Sequence, residues 1–212
     1  MLSVDEPSVN EEMKLVGLIS SRICHDLISP IGAIGNGMEL LELSGAAGGE
    51  EMELIRDCAG TAAAALKFLR IAFGDRDEFE TIASAELFDI LEGHLGPRKV
   101  VFEGRATAPF EIAFGPAKAL MLMAMTAASA APRGCVLSLL ACGADPLDAG
   151  WRMRSDAIML SERARVVIDG APPLAEVTPG EAHLLLLHMM AARRGAALSW
   201  TNAPDGAELR VR

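Results

Sequence analysis

The chain is predicted to adopt an α+β fold, with an N-terminal helical hairpin followed by a C-terminal α/β sandwich. Apolar residues recur every three or four positions through the N-terminal part, which is the period of an amphipathic helix. Further on, short strand-like runs are separated by turn signals, and three helical segments lie among them. This change of pattern predicts two domains, residues 1–75 and residues 76–212.

The first domain is predicted to be two long helices joined by a tight turn. One helix extends from Glu11 to about Leu43, and Ser44–Gly49 forms the turn, since glycines stop a helix. Apolar positions from Met52 to Phe73 indicate the second helix. A hairpin cannot cover both of its apolar stripes by itself, so we expect a homodimer in which two hairpins form a four-helix bundle.

The second domain is predicted to place helices on one face of a largely antiparallel sheet. Helices are expected at "SAELFDILEGHL", at Pro116–Ala130 and at Thr178–Arg194, where "TPGE" resembles a helix cap. The remaining segments have the composition of short strands: "KVVFEG", "CVLSLLACG", "WRMRSDAIML", "ARVVIDG", "ALSW" and "AELRVR".

Charge and hydropathy exclude several classes of function. The net charge is -10 and the pI about 4.9, so neither nucleic acid nor an anionic membrane surface is an expected partner. No apolar run approaches the ~20 residues that span a bilayer, and the acidic N-terminus does not resemble a secretory signal. We therefore expect a cytoplasmic protein whose cysteines are reduced and buried: Cys24, Cys58, Cys135 and Cys142.

His25 is predicted to face away from the core of the bundle. Successive helical residues are about 100° apart, which places His25 about 200° from Ile23 and Leu27 of the apolar seam. Its neighbours on the same face are Leu18, Ser21, Arg22, Ile28, Ser29 and Gly32. This set of small and aliphatic side chains with one cation would let another protein approach the imidazole closely. The alternative is a solvated surface histidine without a role.

Asp26 and Pro30 favour a chemical role for this histidine. Asp26 is placed to orient the imidazole and keep one nitrogen unprotonated, which makes the ring a nucleophile near pH 7. Pro30 removes a backbone hydrogen bond to residue 26 and is expected to bend the helix. Gly35 and Gly37, further along, are either packing glycines at the seam or residues tolerated near a flexible end.

The sequence "HDLISP" resembles the phosphoacceptor box of sensor histidine kinases. The longer stretch "SRICHDLISPIGAIGNGMELLE", with "RIAFGD" at the end of the second helix, is similar to the ChpT-type histidine phosphotransferases of two-component phosphorelays. That resemblance implies a homodimer flanked by two domains that resemble the ATP-binding domain of histidine kinases. It also implies that His25 is phosphorylated, that Asp26 is its acid/base helper, and that Arg22 and Ser29 contact the receiver or the phosphoryl group.

The same resemblance implies the partners. The phosphoryl group would come from the receiver domain of a CckA-like hybrid histidine kinase and pass to CtrA-like and CpdR-like response regulators. The Mg²⁺ that the transfer needs would come from the acidic cluster of the receiver, so this chain is expected to bind no cofactor stably.

An ATP site is not expected in the second domain. Its helix "PAKALMLMAMTAASAAP" has no asparagine or glutamate for Mg²⁺, Asp169-Gly170 lacks the second glycine of an adenine loop, and no GxG follows. His183 and His188 are five residues apart, the wrong spacing for a zinc pair, and no metal site is expected. Two alternatives to phosphotransfer stay open: a histidine kinase with an atypical ATP site, and a dimeric scaffold that binds receiver domains without accepting phosphate.

Overall fold

A computed structural model of the chain describes residues 9–44, 49–75, 77, 80–103, 110–142, 149–170 and 172–211. Helix α1 (Val9–Ser44) and helix α2 (Glu50–Ala72) pack along each other and form the predicted hairpin. The turn between them, predicted at Ser44–Gly49, lies largely outside the described residues. In the described residues, no helix is both long and apolar enough to cross a membrane.

The two helices approach each other closely at Gly37. A methyl group added at Gly37 would lie 2.7 Å from Cγ1 of Ile55 on α2, whereas at Gly35 it would meet nothing within 4 Å. Gly37 is therefore a packing glycine at the seam, which answers one of the questions that the sequence left open.

The rest of the chain is a mixed α/β domain, which confirms the predicted fold class. Its helices are α3 (Ser84–Leu95), α4 (Phe114–Ala130), α5 (Glu162–Asp169) and α6 (Ala182–Ala192). Its strands are β1 (Thr81–Ala83), β2 (Val100–Glu103), β3 (Glu111–Ala113), β4 (Cys135–Cys142), β5 (Ala149–Arg154), β6 (Leu198–Ala203) and β7 (Gly206–Val211). Short 3₁₀ turns occupy Gly96–Arg98, Leu174–Glu176 and Pro179–Glu181.

Five strands form the main sheet, in the order β2-β4-β5-β7-β6. Strands β2 and β4 are parallel, and the other neighbours are antiparallel, as predicted. Strands β1 and β3 form a separate antiparallel pair. With three residues each, they are too short to show an alternating pattern, so the sequence did not predict them.

Helix α4 forms the centre of the core. It is buried on nearly every side, including the three methionines of "LMLMAM", as expected of core residues. The indole nitrogen of Trp151 on β5 donates to the carbonyl of Leu120, 2.8 Å away, and ties the sheet to this helix. Phe88, Phe102 and Trp151 pack edge to face beside it.

Three expectations about these elements and cysteines were wrong. The strand predicted at "WRMRSDAIML" ends at Arg154, so the second half of that segment is not a strand. "ARVVIDG" is not a strand but helix α5, because Ala164, Val167 and Ile168 are buried at helical spacing and Ser161 caps the first turn through the Ala164 amide at 3.1 Å. The segment is short and contains β-branched residues, so its sequence indicated a strand and did not show the helical period. Cys24 is exposed and Cys58 is only half-buried, whereas Cys135 is buried as predicted.

Candidate functional site

His25 lies in the middle of α1 and projects into solvent. Its side chain is 82% exposed, as the helical geometry of the sequence predicts. The exposed residues around it on α1 are Ser21, Ile28, Ser29 and Gly32, which we call the docking face. Two of these side chains are small, Gly32 has none, and Ile28 offers an exposed apolar group, so a partner surface could reach the imidazole without obstruction.

The carboxylate of Asp26 holds the ring in one tautomer. Its Oδ1 atom lies 3.2 Å from Nδ1 of His25. A carboxylate only accepts hydrogen bonds, so in the neutral ring this contact puts the proton on Nδ1 and the lone pair on Nε2. The free nitrogen is then a nucleophile on an exposed ring.

Asp26 itself is turned inward, where Arg22 holds its second oxygen. Nε of Arg22 donates to Oδ2 of Asp26 at 3.0 Å, and the two side chains are 10% and 6% exposed. The two residues are four positions apart on α1, so their side chains lie on adjoining turns. Each carboxylate oxygen of Asp26 therefore has its own partner.

Leu18 and Arg22 do not belong to the docking face, contrary to the prediction. Both residues are buried, and Nη1 of Arg22 donates to the carbonyl of Gly180 at 3.3 Å. The cause is tertiary: the turn Pro179–Glu181 and helix α6 pack against this side of α1. Helical geometry alone places both residues beside His25 but does not show that another domain covers them.

Two histidines that had no predicted role, the buried His183 and the half-buried His94, lie near enough to the Arg22–Asp26 pair to be affected by its charges. Burial, reinforced by the charge of Arg22, lowers the pKa of His183 on α6 to about 3. Burial and the charge of Arg98 lower the pKa of His94 on α3 to about 4. Both rings are therefore neutral near pH 7. The "TPGE" turn brings His183 to this position. The turn can be recognised in the sequence, but the sequence does not show where it lies in the fold.

His183 also lines a cavity of about 260 Å³ whose walls include residues of α1, α4, α5 and α6. Neither ring nitrogen of His183 has a hydrogen-bond partner of good geometry among the described residues, although the Gly180 backbone is close. On the α4 side, the hydroxyls of Thr126 and Ser129 donate to their own helix, to the carbonyls of Leu122 and Met125. In the described part of the chain, no group of three or more His, Cys, Asp or Glu could hold a metal ion.

The chain is similar to known phosphotransferases. Residues 85–206 match the family described as the histidine phosphotransferase C-terminal domain. The protein phosphotransferase ChpT of Brucella abortus (strain 2308) is 53% identical over 68 residues, which is 32% of this chain and 32% of that protein. The chain therefore aligns with about a third of the length of this curated relative.

Solved structures resemble the whole chain. A bacterial phosphotransferase structure superposes with a TM-score of 0.75 at 26% identity, covering 100% of both chains. The histidine kinase AdeS of Acinetobacter baumannii gives a TM-score of 0.45 at 11% identity over 88% of this chain and 95% of its own, too low a likeness to carry weight.

A helical hairpin with an exposed, carboxylate-paired histidine and an attached α/β domain places the chain with the phosphotransferases. Within that class, the chain belongs to the histidine phosphotransferase family and is of the ChpT type.

Proposed function

We propose that His25 carries a phosphoryl group between the receiver domain of a hybrid histidine kinase and the aspartates of response regulators. The pairing of His25 with Asp26 is the observation that carries the proposal, because it leaves an unprotonated Nε2 on an exposed ring. The docking face supports protein partners rather than a small-molecule donor, since His25 lies on an open helix surface and not in a cavity.

In the first step, the lone pair of Nε2 attacks the phosphorus of an aspartyl phosphate on the receiver. The N–P bond forms while the P–O bond to the aspartyl carboxylate breaks, and the carboxylate leaves with the electron pair. The imidazole becomes positively charged, Nδ1 keeps its proton, and the carboxylate of Asp26 balances that charge. In the second step, a response-regulator carboxylate attacks the phosphorus, and the electrons of the N–P bond return to Nε2.

The receiver would supply the Mg²⁺ for both steps. Next to His25, each oxygen of the Asp26 carboxylate already has a hydrogen-bond partner, Arg22 or His25, which favours a metal held by the receiver. Phosphoryl transfer depends mostly on positioning and charge neutralisation, which a receiver domain with its metal provides.

The phosphoryl group is proposed to come from a protein rather than from ATP. Helix α4 carries no carboxylate or carboxamide that could hold Mg²⁺, and its Thr126 and Ser129 hydroxyls are turned to their own helix. These features favour a C-terminal domain that supports the hairpin over one that binds nucleotide.

A homodimer in the cytoplasm is part of the proposal. Large apolar side chains are exposed along both helices of the hairpin: Met13, Val16, Ile31, Met38, Met52 and Leu66. Covering a hydrophobic side chain is worth about 1.5–3 kcal/mol, so pairing two hairpins would stabilise the bundle. On α1, this stripe lies beside the docking face, which a dimer would leave open.

One experiment separates phosphotransfer from the alternatives. The protein is mixed with a ³²P-phosphorylated receiver domain and, separately, with γ-³²P-ATP. Acid-labile, base-stable label from the receiver, absent in His25→Ala and kept in the control His188→Gln, supports the relay. Label from ATP would instead identify a kinase, and binding of the receiver without label would identify a scaffold.

A further inference from the structure

We infer that Arg22 is a positioning residue, through which the C-terminal domain holds the Asp26 carboxylate in the orientation that keeps the Nε2 atom of His25 unprotonated. The inference rests on the proposed function and assigns Arg22 a role away from the partner. It replaces the expected contact of Arg22 with the receiver or the phosphoryl group.

The guanidinium of Arg22 binds two acceptors from different parts of the chain. Its Nε donates to Asp26 of the same helix at 3.0 Å, and its Nη1 donates to the Gly180 carbonyl of the C-terminal domain at 3.3 Å. Guanidinium is planar and rigid, so fixing one side at Gly180 also fixes the direction in which the other side meets Asp26.

The acceptor at Gly180 is held in place by its own turn. The Glu181 carboxylate accepts a hydrogen bond from the amide of Thr178 at 3.1 Å and another from its hydroxyl. The Thr178 side chain in turn accepts from the backbone amide of Glu181, which completes a capping box around the turn. Because this turn begins α6, the C-terminal domain sets the position of the Gly180 carbonyl.

Helix stability alone does not account for the Arg22–Asp26 pair. A basic residue four positions before an acidic one is the less favourable order along a helix. Both side chains are buried, and the cost of removing two charges from water offsets much of their attraction. Such a pair fits a role in orientation better than a role in stability.

The other ionisable groups near the pair leave it intact at neutral pH. His94 of α3 stacks on Phe68 of α2, with ring centroids 4.3 Å apart, and His183 approaches from α6. Both have lowered pKa values and are uncharged at pH 7. Arg98, from the turn after α3, adds positive charge, while the exposed ring of His25 takes the other carboxylate oxygen.

The direct test is the tautomer of His25 in the unphosphorylated protein, measured by ¹⁵N–¹H correlation NMR of the imidazole. In the wild type, the proton is expected on Nδ1. In Arg22→Met and in Arg22→Lys, which cannot reach both acceptors in the same plane, the Nε2-protonated form is expected to rise severalfold. Arg165→Met, an exposed arginine of α5, is the matched control and is expected to show the wild-type spectrum.

Transfer kinetics separate positioning from direct contact with the partner. Arg22→Met is expected to slow phosphoryl transfer about tenfold with little change in KM for the receiver. In a protein that already carries Asp26→Asn, Arg22→Met is expected to slow phosphoryl transfer by less than a further twofold. Independent effects of the two substitutions, a changed KM alone, or an unchanged tautomer would overturn the inference.

A variant away from α1 keeps the test valid if Arg22→Met fails to fold. Glu181→Gln weakens the capping box and changes no residue of α1, and it is expected to change the tautomer in the same direction by a smaller amount. A wild type that accepts no phosphoryl group would refute the proposed function, whereas the NMR measurement tests the positioning role whether or not transfer occurs.

Discussion

The imidazole of His25 is 82% exposed, while the carboxylate of Asp26, whose Oδ1 lies 3.2 Å from His25 Nδ1, is 6% exposed. Consecutive residues of a helix point about 100° apart, which lets one face a partner while the next faces the protein. A buried carboxylate keeps its orientation because packing and Arg22 hold it, and an exposed ring keeps access to a receiver domain. The reactive imidazole is thus at the surface, and the carboxylate that orients it is in the interior.

Asp26→Asn is expected to slow phosphoryl transfer to His25 about a hundredfold, the lower end of what a positioned acid/base group contributes. The amide can still accept from Nδ1 but cannot balance the positive charge of the phosphorylated ring. The measurement is single-turnover transfer from a phosphorylated receiver at saturating concentration. A rate within threefold of wild type would show that Asp26 takes no part in the transfer.

Gly32→Arg is expected to block docking without damage to the fold. A Cβ at Gly32 would meet nothing within 4 Å, and arginine favours helix over glycine. Transfer from the receiver should fall at least tenfold, while chemical phosphorylation of His25 by phosphoramidate should be unchanged.

Ala192→Arg, an exposed change at the end of α6, is the control for Gly32→Arg. If Gly32→Arg loses phosphorylation equally from the receiver and from phosphoramidate, the substitution disturbs His25 itself and not the approach of a partner.

Ile31→Glu and Leu66→Glu are expected to convert the proposed homodimer to a monomer in sedimentation velocity. Both residues are 57% exposed on the hairpin, and a carboxylate at either position would be buried in a four-helix bundle at a cost of several kcal/mol. Met159→Glu, at a residue that is more exposed but lies outside the hairpin, should leave the mass unchanged. A wild type that sediments as a monomer would contradict the bundle.

Acid is expected to destabilise the fold through His94 and His183. Their folded pKa values of about 4 and 3 lie below the 6.5 of an unfolded histidine. Below pH 6.5 the unfolded chain therefore binds more protons than the native one, so the stability present at neutral pH is lost as the pH falls. Each histidine should contribute up to about 1.4 kcal/mol per pH unit.

Urea unfolding at pH 7, 6 and 5 measures this loss. His183→Leu and His94→Phe should each reduce the slope of the unfolding free energy with pH relative to wild type. Ser29→Ala, at an exposed residue, removes no titratable group and should keep the wild-type slope. Parallel slopes for all four proteins would show that the buried histidines do not link folding to protons.

Gly37→Ala and Gly60→Ala are expected to change thermal stability in opposite directions. Alanine is about 1 kcal/mol better than glycine in a helix, and at Gly60 the added methyl meets nothing within 4 Å. At Gly37 the same methyl overlaps Ile55, and overpacking of this kind costs about 1–3 kcal/mol. Calorimetry of both variants should show Gly37→Ala as the less stable by roughly 1–3 kcal/mol. Equal stabilisation by both changes would contradict close packing at Gly37.

Local periodicity was sufficient to predict the hairpin and the exposure of His25. The apolar seam of α1 repeats over its full length, so the opposite face could be assigned before any contact was known. A short element such as α5 spans only about two turns, and there β-branched residues indicated a strand. Its helical form depends on packing and on the Ser161 cap, which a short window of sequence does not display clearly.

The sequence by itself determined that residue 25 is an exposed histidine beside a carboxylate, because helix geometry relates neighbouring residues at fixed angles. Only the tertiary structure decided what holds that carboxylate. Arg22 and Gly180 are 158 residues apart in the chain, and their contact exists because the C-terminal domain folds back onto α1. Contacts of that range leave no periodic trace in a sequence, since they depend on how whole elements pack.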